Sequence, residues 1–511
     1  MGLTRNISIF VAASAMAVFV WFSQPGAAVE PPAATRVAAA VANVANAATG
    51  QIADEANAVF RGVGSCAASN CHGGDPDSGI VGAEYSVWVQ EDKHAEAYSV
   101  LLNDESKLMA ELLGLEEGAH NAAICLNCHS PQRYEPIAKG EKQLPSLLDG
   151  VGCESCHGGA EKWLAAHVRW TDETPVEEKT AVEFVDTDDL WARAKMCADC
   201  HVGAPGRDVN HDLYAAGHPR LFFELSAFMA NMPIHWDIDS SRARADWSER
   251  PGMEASTWAL GQLATAEATV DLLVYRAERS AEQASFKYNG EYPAGQVPPV
   301  WPEYAETGCF ACHHNLTSPA WRQQRGYASR KPGQYPWGTW AFPLTGVVTK
   351  KLLNQDIDAP GHSLSELQSL MAWPSPPADK VVVHGKKLQQ FLNAAAKQFP
   401  RVDSGSRKEV RLSLEQIAAL RSAVTASGPR VIQQNWDGAT QVYLALTALQ
   451  RGHRDLRALK VSDPNDPILK ALMGVRGSLE FPSQLDSPRH YSSAPIKTLD
   501  EALNTIRTSL D

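Results

Sequence analysis

Four runs of one form punctuate the chain: Cys125-Leu126-Asn127-Cys128-His129, Cys153-Glu154-Ser155-Cys156-His157, Cys197-Ala198-Asp199-Cys200-His201 and Cys309-Phe310-Ala311-Cys312-His313. Two cysteines two residues apart, with histidine directly after the second, suit the covalent capture of a porphyrin. The sulfurs form thioethers with its two vinyl groups, and the adjacent imidazole is carried beneath the ring to meet the iron. A fifth run, Cys66-Ala67-Ala68-Ser69-Asn70-Cys71-His72, has four residues between its cysteines. The ten cysteines thus fall into five pairs, each ending in histidine, with none left over. Zinc would combine such pairs two at a time, and it does not require a histidine after each second cysteine. A disulfide framework would oblige neighbouring cysteines to find distant partners. The arithmetic predicts five covalent haems c, with Cys66, Cys71, Cys125, Cys128, Cys153, Cys156, Cys197, Cys200, Cys309 and Cys312 as attachment points. His72, His129, His157, His201 and His313 are the predicted proximal iron ligands.

Each iron then asks for a sixth ligand. Residues 60–345 offer seven further histidines: His94, His120, His167, His211, His218, His235 and His314. Apolar residues at helical spacing from Glu84 to Leu113, among them Trp88, Ala95, Tyr98, Leu101 and Leu102, predict a helix that carries His94. Glu161 to Trp170 has helical character and carries His167. His211 and His218 are seven apart and would share a face on a continuous helix, but Gly217 and Pro219 break the register and point them at two different irons. His314 has a surface or hydrogen-bonding role as an alternative to ligation. Glycines after His157 let the backbone pass close to a porphyrin face. Met253 to Glu282 carries no cysteine and reads as a scaffold helix, with Trp258, Leu263, Val270, Leu273 and Tyr275 in its apolar stripe. Residues 333–343, with Trp337 and Trp340, read as an aromatic wrap over the last haem.

The remaining sequence frames this region. Residues 1–28 read as a signal peptide, with Arg5 before an apolar run and Gly26-Ala27-Ala28 as a cleavage site. The run is shorter than the ~20 residues that span a bilayer, which makes an uncleaved N-terminal anchor the lesser alternative. Residues 29–57 are an Ala-rich linker, 58–345 the haem region, and 346–511 a cysteine-free helical region of unknown role. Capping patterns at Ser363 (with Glu366), Ser413 (with Gln416) and Thr498 (with Glu501) start helices there, and Val431 to Gln450 predicts another that stops at Gly452. The fold class is mainly α: short helices and loops around stacked haems, plus a helical C-terminal region. At 511 residues with a net charge of −13, the chain suits neither nucleic acid nor an anionic membrane surface. Membrane association is expected only if the N-terminal segment is retained.

Gly150-Val151-Gly152-Cys153-Glu154-Ser155-Cys156-His157-Gly158 resembles the central site of the cytochrome c554 family. That family is related to hydroxylamine oxidoreductase, octahaem tetrathionate reductase and pentahaem nitrite reductase. The run from Cys197 to Leu221, with His211-Asp212-Leu213-Tyr214-Ala215-Ala216-Gly217-His218-Pro219-Arg220, is similar to the same family, and so are Cys309 to Leu316 and Trp321-Arg322-Gln323. The expanded first site resembles those of tetrahaem cytochromes c3. The resemblance covers roughly residues 60–345. It implies haems packed edge to edge, mostly bis-histidine irons, and His94, His167, His211 and His218 as distal ligands. The tetrahaem member has four sites where this chain has five.

These features lead to a periplasmic carrier that passes electrons between redox protein partners. Irons saturated by two histidines have no position for a substrate. The rival reading is a reductase or oxidase of small nitrogen or sulfur compounds at one five-coordinate haem, with Arg133 and Tyr134 in its pocket. The lysine-ligated site of nitrite reductases, C-x-x-C-K, is absent from the sequence.

Overall fold

The computed structural model describes residues 60–131, 147–171, 173–235, 251–287, 301–313, 331–359, 363–404, 407–479 and 493–509. The fold is mainly α. One antiparallel hairpin, Arg401–Ser404 paired with Arg407–Val410, interrupts the helices.

The Met253–Lys287 helix is the structural axis. At 1.5 Å per residue its 35 residues extend about 50 Å. The five residues of the expected stripe are all buried, but so are Ala255, Ala259, Leu260, Ala264, Ala266 and Ala277. A helix apolar on one face lies at a surface, whereas one buried all round stands inside a bundle. It is flanked by Leu190–His201, Leu225–Asn231, Ala378–Lys397 and Trp436–Leu456. Small residues permit the crossings. At Gly385 a Cβ would overlap the Val274 side chain, so glycine brings the Ala378–Lys397 helix against the axis.

One apolar core runs from Leu190 to Ile506 and continues across residue 345 without a break. Trp340 shows why. Its indole Nε1 donates to the Phe223 carbonyl at 2.7 Å, and its ring lies 6.2 Å from that of Trp436, 19° from parallel. Trp337 and Trp340 therefore pack into the core shared with the C-terminal helices, which corrects the expected aromatic wrap. The backbone bridge from Trp337 to Thr307, the Gly308 N–H bond to the Pro336 carbonyl at 3.1 Å and the Tyr304–Tyr335 ring contact tie that segment to the approach to the fifth motif.

Several expected elements differ in detail. The Glu84–Leu113 helix is broken into Glu84–Glu91, 3₁₀ turns at Lys93–Glu96 and Ser99–Leu102, and Asp104–Leu113. Asp92 and Asn103 accept backbone N–H groups at two of the breaks, and such local bonds compete with helix continuation. In the Glu161–Trp170 stretch only Leu164–His167 is α-helical. Ser413 and Gln416 form the expected capping box. Ser363 precedes the Leu364–Met371 helix but bonds His384 Nδ1 instead of capping it, and the last helix starts at Ser493, leaving Thr498 in its interior. Val431–Gln450 is divided between Leu414–Ile432 and Trp436–Leu456, and Gly452 lies within the second helix against Ala255.

Candidate haem-binding site

Three of the five motifs sit on or end short helices: Ala123–His129, Cys153–His157 and the C-terminal turn of Leu190–His201. The fifth occupies a 3₁₀ turn at Cys309–Ala311. The residues between the cysteines tie the motifs to the scaffold. Glu154 is buried, and its carboxylate accepts backbone N–H bonds from Arg61 (2.9 Å), Gly62 (2.7 Å) and Ala160 (2.6 Å). It thereby pins the approach to the first motif onto the third. Asn127 donates to the Gly206 carbonyl at 2.7 Å, and Arg207 Nε returns a 3.0 Å bond to the Asn127 carbonyl. Ala194 and Ala198, one turn apart, bury the fourth motif's helix in the core. Gly158, at φ +80°, turns the chain after His157 where a Cβ would meet the Glu183 carbonyl at 2.5 Å.

The histidines meet in twos. His72 and His167 have ring centroids 6.2 Å apart, His94 and His201 6.1 Å, and His211 and His313 6.1 Å. An iron about 2 Å from each of two imidazole nitrogens sets the ring centroids roughly 6 Å apart. The other two motif histidines have neighbours of the same type. His157 feels the charge of His235, and His218 that of His129. Among the described residues no three of His, Cys, Asp or Glu converge as a metal cage.

The outer ring nitrogens are engaged. His129 Nδ1 bonds the Ala97 carbonyl (2.7 Å), His167 the Leu164 carbonyl (2.5 Å), His218 the Pro219 carbonyl (2.8 Å) and His235 the Pro233 carbonyl (3.2 Å). A carbonyl accepts, so each Nδ1 carries the proton and Nε2 is the unprotonated nitrogen of each ring. His72 Nδ1 and His94 Nδ1 meet carboxylates instead, Glu84 and Asp92, both at 2.9 Å. This is the outer-sphere arrangement that orients metal-ligating imidazoles.

The motif sulfurs also approach one another: Cys66 is bonded to Cys153 and Cys128 to Cys200, while Cys156 lies near Cys197 and Cys200. All ten cysteines are free of disulfides. Buried polar atoms without partners, Ser155 Oγ, His157 Nδ1 and Trp163 Nε1, gather around the third motif. Paired imidazoles, paired sulfurs and unsatisfied donors fit a porphyrin-bearing site.

Residues 65–158 match the profile of the cytochrome c554 and c-prime family. Over that stretch the chain is similar to this family. No curated protein and no solved structure matches the chain. The matched stretch contains the first three motifs.

Electrostatics separate the histidines. Hydrogen bonds donated to Glu84 and Asp92 raise the pKa of His72 and His94 above the ordinary histidine value. Burial takes His157 and His201 down to about 4 and also lowers His129 and His218. Neutral imidazole is the form that binds a metal. Of the other sequence candidates, His120 Nε2 is bonded to Asn121 Nδ2 at 3.1 Å, while Arg133, Tyr134 and His314 lie outside the described residues. Glu84, Asp92 and Glu154 went unremarked in the sequence. A carboxylate two residues before a histidine is a faint signal at best, and the reach of Glu154 across 92 residues to Gly62 leaves none.

Proposed function

We propose that this chain is an exported electron carrier with five covalent haems c, each iron held between two histidines. The motif ligand and its partner are His72 with His167, His129 with His218, His157 with His235, His201 with His94, and His313 with His211. The observation that carries this reading is the set of three ring separations, 6.1–6.2 Å, each joining a motif histidine to one distant in sequence. Bound haem c supplies one-electron redox chemistry. The chain's own residues fix the imidazoles: Nδ1 protons are held by carbonyls and carboxylates, and Nε2 lone pairs face inward. Two strong-field nitrogens per iron support outer-sphere transfer at every site.

The sulfur contacts support a row in the order first, third, fourth, second. His211 and His218, on one short segment, bring the fifth site beside the second. Residues 1–28 support export, to the periplasm or to an inner-membrane anchorage. Among the described residues no helix is long and apolar enough to cross a membrane. The net charge of −13 suits cationic redox proteins as donor and acceptor.

The test is mass analysis of the exported protein together with low-temperature EPR. Five haem additions and five low-spin irons are expected. The His94/His201 planes stand at 73°, against 18° for His72/His167 and 21° for His211/His313. Crossed planes bring the iron orbitals closer in energy than parallel ones, so the fourth site should give a more anisotropic signal than the first or fifth. A colourless product, zinc at the sulfurs, or a high-spin iron that responds to nitrite or hydroxylamine would overturn the carrier reading.

A further inference from the structure

We propose that Asp92 and Glu84 act as electronic positioning residues that hold the fourth and first irons at lower reduction potentials than carbonyl-backed histidines would give them. This rests on the ligand assignment above and goes beyond it.

The imidazoles differ in what stands behind them. His129, His167, His218 and His235 give their Nδ1 proton to neutral backbone carbonyls. His157 Nδ1 is buried with no partner. His94 gives its proton to Asp92 at 2.9 Å, and the same carboxylate oxygen accepts the His94 backbone N–H at 3.0 Å. His72 gives its proton to Glu84 Oε2 at 2.9 Å, while Oε1 accepts the Gly82 N–H at 3.0 Å. Each carboxylate is therefore fixed by a backbone donor as well as by the ring. A full negative charge at Nδ1 moves electron density toward Nε2, makes the imidazole a stronger donor, and favours the ferric iron over the ferrous one.

Burial ranks the two. The Asp92 side chain is 5% exposed and that of Glu84 24%. Charges in a drier surrounding interact more strongly, so Asp92 exerts the larger effect. In the row proposed above, the two carboxylate-bonded sites alternate with the third and second, where His235, His129 and His218 bond backbone carbonyls. An electron arriving at the first site then moves on readily to the third, and the fourth is a step rather than a resting place.

The experiment is potentiometric titration of the full-length haem-loaded protein, followed optically and by EPR, for the unmodified chain, Asp92→Asn and Glu84→Gln. Asp92→Asn keeps the one oxygen that accepts both the His94 Nδ1–H and the His94 backbone N–H and removes only the charge, whereas Glu84→Gln keeps an oxygen for the His72 Nδ1–H and gives up the Gly82 N–H bond. Asp92→Asn is expected to raise one midpoint and leave the low-spin iron count unchanged. Glu84→Gln should raise a different midpoint by less, and the exposed control Asp104→Asn none. Titration curves that superimpose for all variants, with every iron still low-spin, would overturn this inference and leave the ligand assignment standing. Should Asp92→Asn displace His94 and yield a high-spin iron, Glu84→Gln decides alone: an unmoved midpoint overturns the proposal. Fewer than five low-spin irons in the unmodified protein would instead defeat the ligand assignment.

Discussion

At the scale of single residues, buried carboxylates do much of the organising. Glu154 satisfies three backbone N–H groups in a place that water does not reach. Each donor left without a partner costs about 1–3 kcal/mol. Glu154→Ala is therefore expected to destabilise the protein by about 3 kcal/mol or more, read as a lowered thermal midpoint. Glu224 behaves differently. It caps the Leu225–Asn231 helix by accepting from Ser226 and Ala227 N–H groups, yet burial pushes its carboxyl up to about 7 from the usual 4.5. Between those two pH values the folded chain keeps a proton that the unfolded chain has lost. The Glu224 contribution to the unfolding free energy therefore falls as pH rises from about 4.5 to 7 and levels off above. Thermal midpoints of Glu224→Gln and of the unmodified chain should shift relative to one another across that range, in favour of the variant as pH rises.

Among the elements, the Met253–Lys287 helix matters most because its neighbours come so close. Gly385→Val would drive a branched side chain into Val274. The better helix propensity of valine recovers only a few tenths of a kcal/mol, whereas overpacking costs about 1–3 kcal/mol. A net loss is expected in denaturant titration, with the haem count unchanged, since Gly385 lies far along the chain from every motif. The axis also holds ligand-bearing segments directly. Arg276 pairs with Asp208 and, at 2.8 Å, with Glu306, and so joins the approach to His211 to that of the fifth motif. Glu303 strengthens the same junction by accepting the His211 N–H at 2.9 Å.

For the whole molecule, the cysteine-free C-terminal region shares one apolar core with the motif-bearing helices. Asp437, in the first turn of the Trp436–Leu456 helix, receives both Arg220 terminal nitrogens at 3.2 and 2.9 Å and the Thr339 hydroxyl at 2.5 Å. Arg220 is two residues from His218, so the far end of the chain fixes the segment that carries a proposed ligand. Asp437 holds the Arg220 guanidinium protonated despite full burial. Asp437→Ala would strand that charge and should cost about 3–5 kcal/mol. The double variant Arg220→Met with Asp437→Leu removes both charges and should recover most of the loss in a thermal melt.

The candidate attachment motifs were legible from the chain alone because thioether chemistry is local: two sulfurs and an imidazole must lie within a few residues, and the spacing records the pattern. The Ser413 cap and the mainly helical character follow from equally short-range rules. Which histidine faces which was not legible. His94 meets His201 across 107 residues, and nothing in either neighbourhood names the other. Long-range packing also decided that Trp340 turns to Trp436 rather than toward the last motif, that Asp92 and Asn103 break the stretch around His94 into turns, and that Gly452 continues a helix. Local sequence limits the chemistry a residue can do. Partners and orientation come from the apolar core, which brings remote segments together because burying their surfaces outweighs the propensities of each alone.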